Sequence, residues 1–138
     1  MRFMIMVKAT AVSEAGVMPD DDRVMNAMAT YHEELAKAGV LLDANGLRPT
    51  SQGWRIRYAG GRRTVLDGPF AETKELIAGY TLIQVRSREE AIEWARRFPA
   101  PFGENADGEI EVRELYEPED FEPDGLLART RKSQAASR

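Results

Sequence analysis

Residues 2–8 alternate Phe3, Ile5 and Val7 with Met4 and Met6, so a strand formed here is apolar on both faces. Such a strand belongs inside a sheet, covered on both sides. The rest of the chain must therefore supply neighbours for both edges and layers for both faces. At 138 residues the chain has the length of one domain. A domain of that size buries roughly two-thirds of its unfolded surface, enough for one core. The chain has no cysteine, which excludes disulfides, thiolate metal sites and thiol nucleophiles. The N-terminal apolar run ends at Lys8, too soon for a signal-peptide core or a membrane span, so a soluble cytoplasmic protein without membrane contact is expected.

The elements follow in order. Residues 9–18 read as a loop. Pro19-Asp20-Asp21-Asp22 reads as a helix start, with acids suited to the first turn. Val24, Met28, Tyr31, Leu35 and Ala38 keep helical spacing on one stripe until Gly39 stops it. Val40-Leu41-Leu42 begins a second strand. Trp54, Ile56 and Tyr58 alternate with Arg55 and Arg57, and Gly60-Gly61 predicts a tight hairpin leading to a strand over 63–66. Residues 71–76 read as one helical turn or a short loop, and Gly79 opens a strand from Tyr80 to Arg86. Ser87-Arg88-Glu89-Glu90 is a capping box for a second helix with Ala91, Trp94, Ala95 and Phe98 on its stripe. A last strand spans Glu109 to Tyr116.

The order is β-α-β, an inserted hairpin, then β-α-β. This predicts an α+β, ferredoxin-like (split β-α-β) antiparallel sheet with two helices on one face. The other face would carry Met4, Met6 and, from the fifth strand, either Tyr80 and Leu82 or Ile83 and Val85. An apolar open face of this kind favours a homodimer packed sheet to sheet.

Charge narrows the partners. The net charge is −4 from 19 basic and 23 acidic residues. Four of the basic residues (Arg129, Arg131, Lys132, Arg138) lie in residues 125–138, which hold no acid, so residues 1–124 carry −8. A body that acidic argues against nucleic-acid binding. From Glu117 the periodicity ends, and residues 118–138 are expected to form a mobile tail.

Asp67-Gly68-Pro69-Phe70 punctuates the middle of the chain. Gly68 tolerates backbone angles closed to other residues, and Pro69 fixes its φ and lacks an N–H. The pair stops a strand and holds Asp67 and Phe70 in set directions. This stretch, with Ala71-Glu72, Lys74-Glu75-Leu76, Gly79 and Ser87-Arg88-Glu89-Glu90-Ala91, resembles the DGPF branch of the YCII-related family. Glu34 to Leu41 and Gly46-Leu47-Arg48-Pro49 are similar to other recurrent segments of that family, so the resemblance spans residues 1–117. It implies a ferredoxin-like fold of the dimeric α/β-barrel type, a homodimer, and a pocket between sheet and helices. Some relatives are proposed enzymes using a His-Asp pair. The place of that histidine is taken by Met28, and His32 lies one turn later, so the pair does not carry over. DGPF proteins also recur beside extracytoplasmic-function sigma factors, which implies a regulatory setting for some.

Several residues have competing readings. Asp67 could serve as a base or ligand anchor, but Asp before Gly-Pro accepts backbone N–H bonds, and turn chemistry is the favoured reading. His32, the only histidine, lies beside the apolar stripe and needs an orienting acid such as Asp43 or Asp67 to be catalytic. Glu33, Glu34, Glu72 and Glu75 lack the spacing to complete a metal site with it. Arg55, Arg57, Arg62 and Arg63 crowd the hairpin and read as its solvated face. The resulting expectation is a small-molecule-binding or cofactor-free enzymatic protein. Its candidate catalytic residues are Asp67 and His32, and its candidate ligand-binding residues are Phe70, Lys74 and Glu75. The alternative is a non-catalytic partner of a sigma factor.

Overall fold

A computed structural model describes residues 1–18 and 22–121 of the protein. The Pro19-Asp20-Asp21 part of the helix-start signal and residues 122–138 of the expected tail lie outside the described residues. The strands are β1 (Arg2–Lys8), β2 (Leu41–Gly46), β3 (Trp54–Ala59), β4 (Arg62–Asp67), β5 (Ile77–Gln84) and β6 (Ile110–Glu114). The helices are α1 (Ala11–Glu14), α2 (Asp22–Lys37) and α3 (Arg88–Arg96). The protein is α+β. One sheet runs β2-β5-β1-β6 with every neighbouring pair antiparallel, and β3 and β4 form a separate hairpin. The four-stranded sheet does not close on itself: β2 and β6 are its edges.

β1 takes the interior place its two apolar faces require. Phe3 and Ile5 point into the core with Ile83 and Val85, where Tyr31 and Leu35 of α2 and Ala91 of α3 cover them. Ile5, Leu35 and Ile83 have no exposed surface. Met4 and Met6 point the other way, Met4 in register with Leu82 and Arg113, Met6 with Tyr80 and Glu111. The open face therefore takes Tyr80 and Leu82 from β5, while Ile83 and Val85 belong to the core.

Local signals set most of the boundaries. Gly39 ends α2 at φ 74°. Its N–H donates to Ala36 (3.0 Å) and that of Val40 to Leu35 (3.1 Å), the Schellman arrangement. Gly60 and Gly61, at φ 57° and 73°, make the two-residue hairpin. Ser87 caps α3 by accepting from the Glu90 N–H, but the Glu90 carboxylate accepts from Arg86 N–H, one residue before the expected partner.

Three expectations need correction. The loop of residues 9–18 contains the single-turn helix α1, closed by a reciprocal Thr10–Ser13 pair of hydrogen bonds. β5 begins at Ile77, so Gly79 lies inside it, where Asn45 of β2 comes so close that an added Cβ would sit 3.1 Å from its carbonyl oxygen. At the far end, Pro118–Asp120 form a 3-10 turn, and Glu117 accepts from the Arg2 guanidinium at 2.9 Å.

The two long helices are joined by Tyr31. Its hydroxyl donates to the Trp94 carbonyl oxygen (2.7 Å), and its ring meets Phe98 edge-on. Burial, assisted by Glu34 and opposed by Arg97, pushes the phenol pKa up from 10.0 to about 12. The folded state thus holds this proton more tightly than the unfolded chain. The associated stability is complete below pH 10.0 and is lost as pH rises through about 12. Tyr31→Phe should lose about 0.5–1.5 kcal/mol at neutral pH. It should also flatten the alkaline fall in stability, read from denaturant melts of both proteins between neutral pH and about pH 12. Parallel pH profiles would refute this role for Tyr31.

Candidate functional site

The Gly68–Pro69 turn is held from a distance in sequence. Thr50 and its neighbours form a 3-10 turn (Thr50–Gln52) just before β3. The Thr50 hydroxyl accepts the Phe70 N–H (3.0 Å) and donates to one oxygen of Glu14, whose other oxygen accepts the Thr50 N–H (3.1 Å). Gly68 N–H donates to the Gly53 carbonyl oxygen at 3.0 Å. A Cβ on Gly68 would fall 1.8 Å from the Thr50 carbonyl oxygen. Glycine is required here for space. Its φ is not in the left-handed region, which corrects the expectation from backbone angles. The Gly68–Pro69 peptide bond is cis.

This clamp shapes a cleft of about 520 Å³ between the 47–53 segment, the start of β3, and the 70–77 segment. Leu47, Pro49, Phe70, Leu76 and Ile77 give it apolar walls, and Trp54, 65% exposed, stands at its side. Arg48, Arg55 and Glu75 bring charge to the lining. The Arg55 guanidinium lies over the Phe70 ring, 3.7 Å from its centroid. Arg48 donates to the Gln52 side chain at 3.1 Å. Glu75 shares a hydrogen bond with Glu72. That bond, the neighbouring negative charge and slight desolvation raise the Glu75 pKa, while Arg55 and Lys8 pull it down.

A family model for the YCII-related domain matches residues 1–119. The chain belongs to the YCII-related family. An uncharacterised protein of Rhizobium meliloti (strain 1021) is 33% identical over 108 residues, which is 78% of this chain and 87% of the relative.

Within this YCII-related domain the candidate residues scatter. Phe70 and Glu75 line the cleft, whereas Asp67, Lys74 and His32 do not. His32 packs under the sheet. Its Nδ1 donates to the Met28 carbonyl oxygen (2.8 Å), an acceptor only, and its Nε2 shares a hydrogen bond with the Thr81 hydroxyl (2.8 Å). Thr81 is 2% exposed, so the pair joins α2 to β5 from within. Asp43 lies on the other face, where it accepts from Tyr80 OH (2.8 Å) and from Asn45. His32 is therefore oriented by a backbone carbonyl and a hydroxyl, with no carboxylate in contact.

Asp67 differs most from expectation. Its exposed carboxylate has no hydrogen-bond or ion-pair partner among the described residues, and the turn bonds run through Thr50 and Gly53 instead. Sequence reasoning missed Glu14, Thr50, Arg48 and Trp54. The Thr10-x-x-Ser13 spacing was the one local signal that could have found α1, and with it Glu14. Thr50→Val should cost about 1–3 kcal/mol, because Phe70 N–H loses its acceptor and the Glu14 carboxylate loses one of its two donors. Asp67→Ala should stay within about 0.5 kcal/mol of wild type. Urea melts that rank the two variants the other way would return the turn to Asp67.

Proposed function

We propose that this chain is a homodimeric small-molecule-binding protein of the DGPF type, without a resident cofactor, whose ligand occupies the cleft at the Gly68–Pro69 turn. The observation that carries the reading is the convergence of Arg55, Glu75 and Phe70 on one apolar-walled concavity. Such a combination is typical of small-molecule sites. Asp67 stands opposite Trp54 in the hairpin register and keeps an unengaged carboxylate, so it is the turn acid left available to a ligand. Any cofactor-free turnover would draw on these groups, since His32 has both ring nitrogens engaged.

The strand order β2-β5-β1-β6 supports the ferredoxin-like arrangement. Two copies facing each other across Met4, Met6, Tyr80 and Leu82 would cover the sheet face opposite α2 and α3 and bring two sheets into a shared barrel. A second reading, a regulatory partner of a sigma factor, draws on the hairpin, where Trp54, Ile56, Tyr58 and Val65 are exposed. Co-purification of a sigma factor that is lost on Tyr58→Ser would favour it.

Light scattering at micromolar concentration should give the mass of two chains. Met4→Asp should give monomer or insoluble protein, because it buries an unpaired charge. Dimers that persist unchanged in Met4→Asp would remove the open face from the interface. For the cleft, small molecules that raise the melting temperature of the wild type should lose that effect in Phe70→Ala. Ligands that stabilise both proteins equally would relocate the site.

A further inference from the structure

The described surface has another concavity, which differs from the first in how its cation is held. That second cleft, against α2, is lined by Tyr31, Glu34 and Arg97. Its cation is already used: Arg97 donates to Glu34 at 2.9 Å and lies over the Trp94 ring, 4.2 Å from its centroid. Arg55 in the first cleft also rests on a ring, but no hydrogen bond or ion pair among the described residues engages its N–H groups. The Phe70 ring fixes the guanidinium in place while leaving its donors unpaired. A positioned, unpaired guanidinium presents a fork that matches a carboxylate.

The rest of the lining sets the size of the charge. Arg48 and Arg55 contribute two positive charges and Glu75 one negative charge, so the lining favours a single anionic group. A doubly charged phosphate would bring its second negative charge towards Glu75 and its neighbour Glu72, in a lining whose charged side chains sum to one positive charge. The walls set the shape. Phe70 and Trp54 are aromatic, and Leu47, Pro49 and Leu76 are apolar, so a flat, weakly hydrated body fits between them.

Resting on the cleft as the ligand site, we propose that it takes a flat monocarboxylate, an aromatic or conjugated acid, whose carboxylate pairs with Arg55 while its ring lies against Phe70 and Trp54. Arg48 adds long-range attraction with the donors that Gln52 does not use. Glu75 acts as the discriminating charge that disfavours dianions.

The two tryptophans make the test direct. Trp54 is 65% exposed beside the cleft, whereas Trp94 packs against the core cluster, so a ligand in the cleft changes Trp54 emission. Trp54→Phe provides the blank. Benzoate, its neutral counterpart benzamide, and phenyl phosphate would each be titrated while following that emission. Benzoate should bind at least about tenfold more tightly than either of the others. Arg55→Gln should bring benzoate down to the level of benzamide, and Arg55→Lys, which keeps charge without the fork, should recover only part of the difference. Glu75→Gln should tighten benzoate several-fold and narrow the gap to phenyl phosphate. Benzoate and benzamide binding equally, or benzoate unaffected by Arg55→Gln, would overturn the carboxylate assignment while leaving the cleft as a binding site. So would phenyl phosphate as the tightest of the three. If none of the three alters Trp54 emission, and none shifts the wild-type melting temperature, the cleft itself fails as the site.

Discussion

The register of β1 is the constraint on which the rest depends. It is hydrogen-bonded on both sides, to β5 and to β6, so it cannot slip without breaking two ladders at once. A slip of one residue would turn Phe3 and Ile5 out of the core and bring Met4 and Met6 in. The two helices read that register from above. Tyr31 and Leu35 fit over Phe3 and Ile5, and the His32–Thr81 hydrogen bond fixes α2 against β5. Once β5 is fixed, Ile77 and Leu76 at its start are fixed too, and they form one wall of the cleft. The cleft is thus positioned by a strand whose central residues lie outside its lining.

Local chemistry was legible in the sequence. The two-faced apolar strand, the glycine stop after α2, the Gly60-Gly61 hairpin and the serine cap of α3 each depend on residues within a few positions of one another. The clamp around the turn was not legible for the opposite reason. Glu14 reaches Thr50 across 36 positions and Thr50 reaches Phe70 across 20, and no spacing rule connects them. Asp67 shows how this misleads. An aspartate before Gly-Pro carries the signature of a self-bonded turn, but Thr50 already supplies the acceptor that Phe70 N–H needs, so the carboxylate is left over.

The same logic separates the two residues that looked most chemical. His32 is typical of a residue whose polar groups are all consumed by structure, one nitrogen by a carbonyl and one by a buried hydroxyl. Asp67 and Arg55 are the reverse: both are charged, lie near the turn, and have no hydrogen bond or ion pair among the described residues. No buried side-chain nitrogen or oxygen lacks a partner among the described residues, so any spare bonding capacity of the described residues lies at the surface.

The hairpin carries a hazard along with that capacity. β3 and β4 together put Trp54, Ile56, Tyr58 and Val65 on a two-stranded ribbon whose outer edges have no strand beside them among the described residues. Ribbons of this composition invite like ribbons to pair with them, the first step of edge-to-edge aggregation. Arg55, Arg57, Arg62 and Arg63 are spread along both strands, so two hairpins that met edge to edge would bring two full sets of guanidinium groups together. Repulsion between those groups would work against pairing of the hairpin with its own kind.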